Sequence, residues 1–204
     1  MMSKEVDRVI EVKEHNRNEI LVREIGGTGM ITVRGDLSNK QFQAAIVKNF
    51  YLDVPKPLNI NRNESCSVAW MSSDELLILT YSETNVEKIK NSLETSFRNV
   101  HSLVLDVSGS RSLFTVEGPL WREVLAKGSP IDLRTKSFTQ NSFVRTRMGQ
   151  VSVAFWMASE HSAKIICGRS YSEFLYDCYL LLKHKAISII LYCCLIEKMS
   201  IDQI

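Results

Sequence analysis

The feature that most constrains this chain is a repeat. Phe114-Thr115-Val116-Glu117-Gly118 restates the pattern of Ile31-Thr32-Val33-Arg34-Gly35 at an offset of 83 residues (31 to 114). Val68-Ala69-Trp70-Met71-Ser72-Ser73-Asp74-Glu75 is echoed by Ala154-Phe155-Trp156-Met157-Ala158-Ser159-Glu160, and Thr84-Asn85-Val86-Glu87 by Ser170-Tyr171-Ser172-Glu173, each at an offset of 86 (70 to 156, 84 to 170). Three ordered matches at nearly one spacing point to an internal duplication, and a duplication has to be recognised before any fold is assigned. The repeats run over about 28–98 and 111–182, with the seam at Leu105–Pro119.

Within the first copy the pattern reads strand, helix, strand, strand, helix. Met30–Arg34 is β-rich. Ser38-Asn39-Lys40-Gln41 has the form of a capping box, and Phe42, Ala45, Ile46 and Phe50 follow at helical spacing. Asp53–Asn63 is rich in Pro and Asn and reads as a loop. Cys66, Val68 and Trp70 alternate, Ser72-Ser73-Asp74 reads as a hairpin turn, and Leu76–Thr80 is nearly continuous apolar chain. Thr84–Glu87 then opens a helix with Val86, Ile89, Leu93 and Phe97 on one face. The second copy follows suit, with Pro119 suited to a first helical turn, Phe143–Met148 alternating, and Ser170–Glu173 opening the last helix. Trp70 and Trp156 are expected to be equivalent core residues. Glu19–Ile25 is expected to be a strand entered from a charged arm, and Val100–Val107 a strand crossing between copies.

Two βαββα units side by side predict an α+β fold, a single domain over 1–204 with mostly antiparallel sheets and helices on one face. Each copy alone would leave a sheet face open, so the copies should pack on each other. The 45% hydrophobic content suffices for the core. The tail 183–204 contains Ala186–Ile196, an uncharged run too short to span a bilayer. It reads as a segment buried in this fold, a docking strand for another subunit, or a disordered extension.

Charge argues against nucleic acid as a partner. Twenty-five basic and 23 acidic side chains give a net charge of +2, without the clustered excess of Lys and Arg that phosphate binding needs. Met1–Leu21 is densely charged and lacks the apolar core of a signal peptide. With five cysteines at no metal-like spacing, this points to reduced thiols in the cytoplasm. Cys193-Cys194 is either a redox pair or two inert thiols.

No catalytic constellation is visible. The four His (15, 101, 161, 184) are scattered, and no Ser stands in a GxSxG context. Gly26-Gly27-Thr28-Gly29 precedes a strand rather than a helix, which counts against a phosphate cradle. Asp74-Glu75 and Asp132 sit in turn or loop sequence. Asp106 reads either as a base near a cleft or as the cap of a turn. Arg111, Arg134, Arg145 and Arg147 are the basic candidates. Arg145 and Arg147 share one strand face and suit either an acidic partner or an anionic ligand tail, or else lie on a plain polar sheet face.

The motifs in order bring a family into view. Asp106-Val107-Ser108, Arg111, Phe114–Pro119, Glu123–Leu133, Arg145–Val151 and Arg169–Leu175 resemble the gamma subunit of bacterial heterotetrameric sarcosine oxidase. The resemblance covers about 100–182 well and 28–98 loosely. That family is similar in turn to the amino-terminal part of the glycine-cleavage aminomethyltransferase, a duplicated α+β fold around a folate cleft. The resemblance implies a non-catalytic gamma chain that meets alpha, beta and delta subunits, chiefly alpha. It implies an assembly that demethylates sarcosine to glycine with hydrogen peroxide and, with tetrahydrofolate, methylene-tetrahydrofolate. FAD, FMN, NAD and zinc would reside in the partner subunits. The alternative is a stand-alone folate-binding C1-transfer protein, for which Asp106, Arg145 and Arg147 are the candidate contacts. A third reading is a homo-oligomer joined through the apolar tail. The family's folate-binding relatives continue into a further β-rich domain that this chain has no room for. Lys127-Gly128-Ser129-Pro130 also lacks the Cys of the Lys-Gly-Cys motif in a related iron–sulfur-maintenance family.

Overall fold

A computed structural model describes residues 20–81 and 85–182, and the expectations for the arm and for the tail 183–204 fall outside them. Four helices and ten strands follow in the order β1 (Leu21–Ile25), β2 (Gly29–Gly35), α1 (Lys40–Phe50), β3 (Ile60–Arg62), β4 (Cys66–Ser72), β5 (Glu75–Thr80), α2 (Val86–Ser96), β6 (Ser102–Asp106), β7 (Arg111–Glu117), α3 (Trp121–Gly128), β8 (Phe143–Met148), β9 (Val151–Ser159), β10 (Ser162–Gly168) and α4 (Ser172–Leu182).

The strands form two five-stranded sheets, and every pairing is antiparallel. One sheet runs β6-β2-β5-β4-β3 and the other β1-β7-β10-β9-β8. The two orders are the same topology written twice, so the duplication extends to the fold. The first copy owns one more strand than expected, because Ile60–Arg62 adds a short edge strand where a loop was expected, and this strand is the counterpart of Phe143–Met148, which alternation had already marked in the second copy. The outermost strands are exchanged in sequence order. β1 precedes the first copy yet pairs with β7 of the second, while β6 follows α2 and closes the first.

The two sheets face each other, and the helices cover their outer faces. Beneath α1 and α2, Ile31, Val33, Val68, Leu76 and Ile78 meet Phe42, Ile46, Phe50 and Leu93. Beneath α3 and α4, Phe114, Val116, Phe155 and Ile165 meet Trp121, Leu125, Leu175 and Tyr179. A third cluster, with Met30, Leu77, Leu79, Leu113, Phe143, Trp156 and Ile166, lies between the sheets. This layering explains why β2 and β5 are apolar almost without a break. Both of their faces are covered, so neither can alternate with polar residues. β8 is an edge strand and does alternate.

Trp70 and Trp156 are not equivalent. Ile31 and Phe114 correspond, and they stand opposite Ile78 and Ile165, which stand opposite Val68 and Phe155. The true offset in these strands is therefore 87 (68 to 155), one more than the matching tryptophans suggest. One residue reverses the face of a strand. Trp70 packs on the helix side of its sheet, whereas Trp156 is buried between the sheets. The first helix cap also lies one residue later than expected. Asn39 Oδ1 accepts from the backbone amides of Gln41 and Phe42, while the Ser38 hydroxyl donates to Asp36.

Candidate functional site

The inter-sheet layer opens at one end into a cleft of about 260 Å³, lined by Met71, Ser110, Arg111, Arg145, Ser152 and Gly168. Alternation along the strands explains which side chains reach it. Glu75 shares the face of Leu77 and Leu79, Arg111 that of Leu113, and Arg145 that of Phe143. All three therefore point between the sheets.

Arg111 starts β7 and reaches across to the other sheet. Its Nη2 lies 3.8 Å from Glu75 Oε1 and 3.5 Å from the Thr32 hydroxyl. Both members of the ion pair are largely buried, at 20% and 17% side-chain exposure. Burial lowers the Arg111 pKa; Glu75 counters this and Arg145 adds to it. Arg145 crosses the same gap, and its Nη1 donates to the Met71 carbonyl at 2.9 Å. Arg147 follows on the same face of β8 and is exposed.

Asp106 does not join them. It stands opposite Ile31, whose side chain lies under α1 and α2, so Asp106 projects from the face turned away from the cleft. Its Oδ1 accepts from the Ser108 amide at 2.9 Å and the Ser108 hydroxyl at 2.6 Å, and the Ser108 hydroxyl in turn accepts from the Met30 amide. Of its two readings, this geometry is that of a turn cap. Asp132 also acts locally. Its carboxylate accepts from Arg134 Nε and Nη2 and from Ser137, and these bonds, led by Arg134, hold it well below the usual carboxylate range. Asp74 takes Arg34 at 2.6 Å and the Ser72 hydroxyl at the β4–β5 turn.

The Arg111–Glu75 pair escaped sequence reasoning, because it joins the two copies and no spacing along the chain encodes it. The available signal was parity, each residue sharing a strand face with apolar residues of the layer. Among the described residues, no three His, Cys, Asp or Glu side chains gather in a metal-binding group. Cys66, Cys167 and Cys178 are buried; burial, and then the charge of Glu24, pushes the Cys167 thiol up to about 12. No helix among the described residues is long and apolar enough to cross a membrane.

Two antiparallel sheets packed face to face with helices outside, repeated about an internal duplication, define the class: a pseudo-symmetric α+β fold. Its solved likenesses include the glycine cleavage system aminomethyltransferase T from Bartonella henselae (TM-score 0.61, 14% identity, 81% of this chain and 46% of that one). The chain belongs to the sarcosine oxidase gamma subunit family, which matches residues 34–186. The sarcosine oxidase gamma subunit of Corynebacterium sp. (strain U-96) is 31% identical over 107 residues, 52% of this chain and 51% of the relative. That of Corynebacterium sp. (strain P-1) is 26% identical over 156 residues, 76% of this chain and 75% of the relative. The match thus spans about half of the first relative and three quarters of the second. A chain of the heterotetrameric sarcosine oxidase from Corynebacterium sp. U-96, solved in complex with pyrrole 2-carboxylate, superimposes with a TM-score of 0.74 at 22% identity, over 85% of this chain and 90% of that one.

Proposed function

We propose that this chain is a structural, non-catalytic gamma subunit of a heterotetrameric sarcosine oxidase, seated chiefly against the alpha subunit. In this reading the oxidative demethylation of sarcosine to glycine, with hydrogen peroxide as product, takes place on the partner chains. So does the transfer of the methyl carbon to tetrahydrofolate. FAD, FMN, NAD and zinc belong to the alpha, beta and delta subunits. A cytoplasmic setting accords with the buried free thiols of Cys66 and Cys167. The observation that carries the reading is the engagement of the cleft's ionic groups. Arg111 is tied to Glu75 and Arg145 to the Met71 carbonyl, so both cations bind sheet to sheet. The plain work of such groups is to hold the two copies in register.

The fold likeness to the aminomethyltransferase favours a second reading, a stand-alone folate-binding C1-transfer protein. That reading draws on Asp106 with Arg145 or Arg147, and Asp106 faces the opposite side of its sheet. The two are separated by tagged purification from native cells under conditions that preserve complexes, followed by a visible spectrum. The subunit reading expects three companion chains and flavin absorbance. A colourless chain eluting alone would overturn it, and saturable tetrahydrofolate binding by that chain would establish the alternative.

A further inference from the structure

The layer between the sheets is not apolar throughout. Leu77 of β5 stands opposite Thr32 and Ala69 and is fully buried. The corresponding residue of β10, opposite Thr115 and Trp156, is Lys164. The second copy thus places a half-buried lysine where the first has a core leucine. Withdrawing an ammonium from water is costly unless a partner compensates for it.

Lys164 borders a small pocket of about 120 Å³, shared with Thr28, Arg62, Ser67, Tyr81 and Trp156. It lies at the end of the layer away from the Arg111 cleft. Arg62 comes from the opposite sheet and is held by two carbonyls: Nη1 reaches that of Met157 at 2.9 Å and Nη2 that of Gln140 at 2.8 Å. Lys164 Nζ lies 5.5 Å from the Tyr81 ring centroid. Among the described residues no carboxylate or carbonyl meets it. Glu117, on the same face of the sheet, is paired with Arg23 at 3.5 Å. Burial, and then the charge of Arg62, lowers the Lys164 pKa. The Ser67 and Tyr81 hydroxyls lie 3.1 Å apart at the same pocket.

We propose that this pocket binds a small carboxylate anion, paired with Lys164 Nζ and flanked by the Tyr81 and Trp156 rings. The chemistry selects the class. Lys164 meets no acceptor among the described residues, whereas Arg62 is already held by carbonyls, so the lysine calls for one negative charge, and the pocket is too small for an extended ligand. Two rings supply apolar walls for a short or flat hydrocarbon body, while the Thr28 hydroxyl on the pocket wall offers a further hydrogen bond to the carboxylate. A phosphate has no hydrocarbon body to set against the Tyr81 and Trp156 rings. The site is independent of the subunit role, so either can fail without the other.

The test uses the full chain at constant ionic strength, with acetate, benzoate, benzamide and inorganic phosphate as probes. Tryptophan emission and the thermal midpoint are read together. Benzoate or acetate is expected to shift both saturably in the millimolar range, and benzamide and phosphate to shift neither. Lys164→Met is expected to lose the carboxylate response while melting higher than the parent, as befits an apolar residue in Leu77's counterpart position. Lys164→Gln, which keeps a polar tip, serves should the methionine variant misfold, and is expected to lose the response too. The proposal is overturned if the parent shows no saturable carboxylate response. It is equally overturned if benzamide or phosphate acts as well as benzoate, or if a folded Lys164 variant keeps the response.

Discussion

The two tryptophans give the sharpest test of the layered fold. Trp156 is 3% exposed, sits between the sheets and packs its ring on Phe143 with centroids 5.8 Å apart. Trp156→Ala therefore removes a large buried side chain from a layer walled by two sheets, neither of which can close the gap without the other moving. Large-to-small aromatic changes of this kind cost about 3–5 kcal/mol. Trp70 lies at the rim of the helix-side core, beside the open cleft of Val54, Pro55 and Pro57. Trp70→Ala leaves space that water already reaches, and its cost should be about 1–2 kcal/mol. Urea unfolding of the full chain, followed by far-UV circular dichroism so that the lost indole does not alter the signal, measures both. Midpoints should fall far more for Trp156→Ala, with unchanged slopes. Equal losses, within about 0.5 kcal/mol, would restore the equivalence that the sequence match implies and refute the face assignment.

Three further outcomes follow. Gly35→Ala would place a Cβ 2.7 Å from the Phe42 ring and 3.1 Å from the His101 carbonyl, and since Phe42 is buried and stacked on Phe97, thermal melting should show a loss of about 1–3 kcal/mol. The Arg122 guanidinium donates to the Leu133 and Phe138 carbonyls and lies 4.4 Å from the Trp121 ring centroid, so Arg122→Lys should cost about 1–2 kcal/mol by urea titration and hasten proteolysis within 129–142. The Cys167 thiol is raised from 9.0 to about 12 by burial and then by Glu24, so its contribution to stability is whole below pH 9 and declines as pH rises towards 12. Cys167→Ala should flatten that alkaline limb in melts taken across the range, and an unchanged limb would reject the assignment.

The elements were largely legible, because burial on two faces or one leaves different marks in a strand. β2 and β5 announced themselves as apolar runs and β8 by alternation, and the helices by their spaced apolar residues. What escaped was relative placement. A match at offset 86 and a true correspondence at 87 look alike in letters, yet they put Trp156 on opposite faces of its sheet. The Glu75–Arg111 pair was hidden for the same reason, since it depends on how one copy lies on the other. Ile60–Arg62 was lost among prolines and asparagines, because a three-residue edge strand is held by its neighbour more than by its own composition. Asp106 carried two readings, and only the side of the strand on which it falls decided between them.

The exchanged edge strand has a consequence for how such a chain comes into being. Leu21 pairs with Glu117 and Ile25 with Leu113, so the first described strand stays unclaimed until the second half has been synthesised. Closure over so long a stretch is entropically slow, and the waiting segment exposes a bare β edge in the meantime. Neither half can be excised as an independent module without stripping one sheet of its border. The same arrangement fits an ancestry in which two identical single-copy chains traded their edge strands as a dimer before gene fusion joined them. Reversing that fusion, with the two halves expressed as separate polypeptides, would then rebuild the fold only when both are present together.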